Sequence, residues 1–152
     1  MTPSVPAPNK VERFLSVVYC DDVRSEIHNK FSFVGIYQHK LLVPAFPARI
    51  LRLCIVLQLF CPKNQPFKTA KFAVYRDDDL FAEIEVSPPQ EQWDGQEGFV
   101  GAVVPFIFEN VEFTANAKFR VRAIFDDGMI IPAPSLLVET MGESNTNLPT
   151  PA

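Results

Sequence analysis

Apolar and polar residues alternate with period two through most of the chain. The clearest run is residues 50–61, where Leu51, Leu53, Ile55, Leu57 and Leu59 fall on one face. Arg52, Cys54, Val56, Gln58 and Phe60 fall on the other. A helix needs apolar spacing of three and four, which the aliphatic set does not give. In residues 117–125, Ala117, Phe119, Val121, Ala123 and Phe125 alternate with Lys118, Arg120 and Arg122. Shorter strands are predicted over 13–20 and 30–37, joined by a polar turn over 21–29. Further strands are predicted over 68–76, 80–86, 99–108 and 129–138.

Two hairpin registers follow from the turns. A three-residue loop Asp77–Asp79 pairs Arg76 with Leu80, Val74 with Ala82 and Phe72 with Ile84, and sets Lys71 opposite Glu85 on the outer face. Apolar then meets apolar and charge meets opposite charge, as cross-strand pairing favours. A loop Asp126–Gly128, with Gly128 left-handed, pairs Phe125 with Met129 and Ala123 with Ile131. Pro105 is expected to break or bulge its strand, and Pro132 and Pro134 to put the last strand at an edge or break it.

About eight short strands with hairpin turns predict an all-β fold, an antiparallel β-sandwich, immunoglobulin-like or related, with a closed barrel as the alternative. Residues 1–10 hold three prolines without periodicity and read as a flexible N-terminal arm. Residues 11–140 form the single domain, and 141–152 read as a disordered tail. With 152 residues the chain fits one domain, and 14 Phe and 14 Pro suit strands joined by stiff loops.

The net charge of −4 argues against charge-driven binding to nucleic acid. The three cysteines, Cys20, Cys54 and Cys61, are odd in number and lack C-x-x-C spacing. No leader-like start and no apolar run near the ~20 residues of a membrane span is present. The expectation is free thiols in the cytoplasm and no membrane association.

Little points to catalysis. His28 and His39 are isolated, and no nucleophile motif, phosphate loop or paired metal-ligand motif occurs, so neither an enzyme nor a cofactor is expected. Turn aspartates ordinarily bond their own backbone. If successive loops alternate between the poles of the sandwich, however, Asp21, Asp22, Asp126 and Asp127 share one pole with Asp94 and Glu97, a conceivable calcium site. Lys118, Arg120 and Arg122 form an outward basic stripe, either a solvated face paired with neighbouring acids or a docking strip for an acidic partner or phosphate. Trp93, in the loop 87–98, is either an interface anchor or a cap on the core.

Cys20-Asp21-Asp22-Val23-Arg24, with Glu26, Lys30, Ser32 and Gly35-Ile36-Tyr37, resembles a segment of a family of small bacterial proteins known only as a domain of unknown function. The resemblance is best over residues 13–60, with a weaker echo from Phe119 to Gly128, and His28-Asn29 stands where that family has a glycine-type turn. It implies a compact bacterial domain and no particular chemistry. It also marks Asp21, Asp22, Arg24, Glu26 and Lys30 as a recurrent polar cluster, suited to a salt-bridge network locking the first hairpin. The leading expectation is a non-enzymatic binding or scaffold module with a protein partner, a homo-oligomer being open. The alternative is a calcium- or ligand-dependent sandwich domain using the acidic loops.

Overall fold

The computed structural model describes residues 12–95 and 97–142, so the arm over 1–10 and all but the start of the tail over 141–152 lie outside the described residues. Nine strands are present: β1 (Phe14–Glu26), β2 (Lys30–Tyr37), β3 (Lys40–Val43), β4 (Ala48–Pro62), β5 (Ala70–Arg76), β6 (Asp79–Val86), β7 (Phe99–Phe113), β8 (Ala117–Phe125) and β9 (Ile130–Thr140). A single 3-10 turn, Gln90–Trp93, is the only helical element among the described residues.

The strands form two open sheets, ordered β2-β1-β4-β7 and β3-β9-β8-β5-β6, which is a sandwich and not a closed barrel. The hydrogen-bonded runs β1-β4-β7 and β5-β8-β9 take the places of A-B-E and C-F-G in an immunoglobulin-like domain. One pairing departs from the antiparallel expectation: β3 runs parallel to β9. Four residues between turn signals were too short a run to register as a strand.

The core lies between the sheets. Leu53, Ile55, Leu57 and Leu59 of β4 face Phe72 and Val74 of β5 and Phe119 of β8, all at most 1% exposed. Phe119 meets Phe113 edge-on at 6.0 Å and Phe81 at 5.7 Å. Full burial of such side chains stabilises by roughly 1.5–3 kcal/mol each.

Four expectations are corrected. β1 does not end at Cys20: residues 21–26 continue the strand, paired with β2 as far as Glu26 opposite Lys30, and only Ile27–Asn29 turn. His28 and Asn29 there take φ of 64° and 57°, which glycine adopts most readily. Leu51 does not join its aliphatic neighbours but is 75% exposed. β4 and β7 change faces together there, with Asn110 at φ 55°, so that Ile50, Val111 and Phe113 turn to the core instead.

Pro105 neither breaks nor shifts its strand. It pairs with Val56 in unbroken register, and β7 is an edge strand that need not donate on its free side. The hairpin registers hold at Lys71–Glu85, Phe72–Ile84, Val74–Ala82 and Ala123–Ile131, and Gly128 has φ 89°. At the first hairpin, however, a bulge at Val74/Tyr75 pairs Tyr75 with Leu80 and Arg76 with Asp79. β9 is an edge only in its proline half, since β3 covers Leu137–Thr140.

Candidate functional site

Strand β8 presents Lys118, Arg120 and Arg122 on the outer face of the five-stranded sheet, because the alternate residues are buried in the core. Two irregularities flank this stripe. The β8–β9 register shifts between Phe119 and Val121, and the β5–β6 register between Val74 and Tyr75. Bulges bend strands and re-aim side chains, and they concentrate near binding sites. Between them lies a cleft of about 390 Å³ lined by Tyr75, Asp78, Arg120, Arg122, Pro132 and Ser135, among others.

The two arginines are held differently. Arg122 Nη2 donates to the Tyr75 hydroxyl at 2.6 Å, and its guanidinium lies 4.6 Å from the ring centre. Its Nε is buried without a hydrogen-bond partner. No ion pair involves Arg122 among the described residues. Arg120 Nη2 donates to the Asp77 carbonyl and to Asp78 Oδ1, each at 2.7 Å. The Asp78 side chain is 98% exposed, so this pair is solvent-screened and contributes little. Lys118 lies on the same face, outside the residues lining the cleft.

The acids do not converge. Asp21 and Asp22 lie within β1, eight and nine residues beyond Arg13, while Asp127 bonds Arg13 itself at 2.8 Å. At about 3.3 Å per residue Arg13, with its partner Asp127, lies roughly 26 Å along the strand from Asp21, toward the other pole. Asp126 Oδ1 accepts from the Lys68 and Thr69 amides, and Asp127 from the Met129 amide. The Met129 amide, with Arg13 beside it, holds the Asp127 carboxyl below the ordinary range. No group of three potential metal ligands occurs among the described residues.

Trp93 is the cap and not the anchor. It is 8% exposed and packs edge-on against Phe67 at 5.1 Å, which meets Phe125 at 5.0 Å. The 3-10 turn after Pro88-Pro89 folds it back over that pole of the core. Arg13, 8% exposed, completes the pole, with its guanidinium 4.4 Å from the Phe125 ring.

The polar cluster on the first hairpin is divided between faces. Asp21 accepts from the Tyr37 hydroxyl, with its carboxyl over Gly35, where any Cβ would collide and φ is 69°. Asp22 points the other way, to Arg52 at 3.0 Å and Arg24 at 3.4 Å, and Arg52 continues to Glu109 at 3.1 Å. The Arg52 hydrogen bond, more than Arg24, lowers the Asp22 pKa. Glu26 accepts from Ser32, and Lys30 stands opposite it in register. The network therefore ties β1 to β4 and β7 through Arg52 and Glu109, partners that only the strand order brings near.

Cys20 and Cys54 stand directly opposite each other on β1 and β4, free and fully buried. Burial pushes Cys20 up to about 11, and also raises Cys54 and Cys61.

Residues 15–136 match the model of a family of unknown function, DUF6941. No curated protein and no solved structure matches the chain.

Proposed function

We propose that this chain, which belongs to the DUF6941 family, is a non-enzymatic binding module that receives an acidic partner segment in the cleft beside Arg120 and Arg122. The observation that carries this reading is the state of Arg122. It is positioned by Tyr75, lacks a carboxylate and lines the cleft. A guanidinium fixed in this way is organised for a carboxylate, since less conformational freedom is lost on binding. Arg120 adds a second cation whose present acid, on an exposed turn, exchanges readily with an incoming one.

The reading includes no catalysis and a reducing, cytoplasmic setting of bacterial type. Its support is that the thiols, the strongest nucleophiles of the chain, are buried, free and held protonated. Among the described residues no helix is long and apolar enough to cross a membrane.

The test is a titration with a fluorescent peptide of alternating Glu and Ser, beside a Lys-for-Glu control. The Glu peptide should bind, weaken as salt rises, and lose about tenfold or more in affinity with Arg122→Gln, while melting stays unchanged. Lys40→Gln, on the far strand β3, should leave binding intact. Equal binding of both peptides, or indifference to Arg122→Gln, would remove this assignment.

A further inference from the structure

The four-stranded sheet has an outer face of the opposite character. Cross-strand registers place its outward residues in levels. One level reads Ile36, Cys20, Cys54, Ile107 from β2 to β7. The next toward the β1 start contains Val18, Val56 and Pro105, then Ser16, Gln58 and Val103, then Phe14 and Phe60. Ile36 is 58% exposed, Ile107 49% and Phe14 60%. Among the described residues no element is stacked on this face, and at its centre Cys20, Cys54 and Val56 are fully buried. Exposed apolar side chains, with Phe60 and Val103 among them, surround that buried centre, and clustered exposed apolar side chains mark interfaces.

Charge is confined to one end, at the level Val34, Asp22, Arg52, Glu109 and, beyond it on the first hairpin, at Arg24, Glu26 and Lys30. Here the two central strands carry opposite signs, Asp22 on β1 and Arg52 on β4. A two-fold axis lying in the face and parallel to the strands exchanges β1 with β4 and preserves level. It sets Asp22 of each copy over Arg52 of the other, and the Ile36–Ile107 level over its own reverse. The face is thus complementary to itself in charge and in hydrophobicity, as an isologous contact requires. The chain outside the described residues supplies few large apolar side chains, with only Met1, Val5, Val11 and Leu148. We infer that the chain is a two-fold dimer, with its four-stranded sheets packed face to face. The inference is independent of the acidic-partner reading, since it concerns the opposite sheet.

Sedimentation equilibrium decides the matter. The unaltered chain should sediment with twice its 17.1 kDa mass, and Ile107→Lys should sediment as a folded monomer with an unchanged circular dichroism spectrum. Asp22→Arg and Arg52→Asp should each associate about tenfold more weakly or worse, since each sets like charges against each other. Mixed together, they should form a heterodimer, because arginines then face aspartates at both sites. An exchange across the interface restores association in the mixture, whereas a charge effect within one chain does not. A monomeric unaltered chain, a dimer indifferent to Ile107→Lys, or two charge variants that fail to combine would each overturn the inference.

Discussion

The two outer faces of this sandwich come from strands of similar pattern and differ in what they expose. On the five-stranded sheet, β8 sends Lys118, Arg120 and Arg122 outward, and β6 sends Glu83 and Glu85. On the four-stranded sheet, β4 sends Cys54, Val56 and Phe60 outward, and β7 sends Val103 and Ile107. Both sheets present apolar residues to the common core, so the core explains neither outer surface. A strand in contact with water on one side ordinarily reads apolar-in and polar-out. Strand β8 obeys that rule and β4 breaks it. A charged outer face is suited to selective, salt-sensitive contact, and an apolar one to burial.

The sharpest way to break this comparison is to put a charge under the apolar face. Val56 points outward but is fully buried. Val56→Asp should therefore cost about 3–5 kcal/mol, the penalty of an unpaired buried charge. Ile107→Lys, at the half-exposed border of the face, should change monomer stability by no more than about 0.5 kcal/mol. Urea unfolding at protein concentrations low enough to exclude association measures both. If Val56→Asp is tolerated like Ile107→Lys, the face is an ordinary solvated surface and the contrast disappears.

A smaller effect concerns pH. Burial raises the Cys20 thiol from 9.0 to about 11. A raised thiol pKa means that the unfolded chain releases its proton first. The contribution to stability is therefore complete below pH 9 and declines as pH rises toward 11, by an amount on the order of 2 kcal/mol. Buried Tyr19, with its hydroxyl bonded to the Pro134 carbonyl, is also raised and acts in the same direction at higher pH. Melting temperatures between pH 8 and about 10.5 should fall in the unaltered chain and fall less in Cys20→Ser. Identical slopes would mean that the thiol does not experience the desolvation that the apolar face imposes.

What the sequence revealed follows the same division. The 117–125 stripe and the Lys71–Glu85 and Ala123–Ile131 registers were legible because period-two alternation and a short turn determine them locally. The cleft was not, since it depends on bulges opposite Arg120 and at Tyr75, which arise from pairing with β9 and β6. The β1 extension through Asp21–Glu26 was hidden by residues polar on both faces. The change of face at Leu51 depends on the backbone of Asn110, 59 residues away in sequence. The apolar face did leave a signal. In residues 53–57, Leu-Cys-Ile-Val-Leu, the positions between the core leucines are themselves apolar, as are those in 99–108. Such a run marks a strand with both faces covered.

The smallest expected effect tests the charged face at its edge. Lys71 and Glu85 stand directly opposite on β5 and β6, outward and exposed, with no ion pair within 4 Å among the described residues. Opposite charges in such positions still interact, by a few tenths of a kcal/mol up to about 1. Reversing one charge should destabilise, because it sets like charges against each other. Reversing both should cost less than the sum of the single changes by that amount. The coupling should shrink near 1 M salt, where the Debye length falls to about 3 Å. A cycle of Lys71→Glu, Glu85→Lys and the double variant, measured by urea unfolding, supplies the number. A coupling of zero at low salt would show that this edge derives nothing from its alternating charge. The same coupling at low and high salt would point to packing of the Lys71 stem against its β8 neighbour Ile124. In that event even the charged face would be held at its margin by apolar contact, and the difference between the two faces would narrow to the cleft itself.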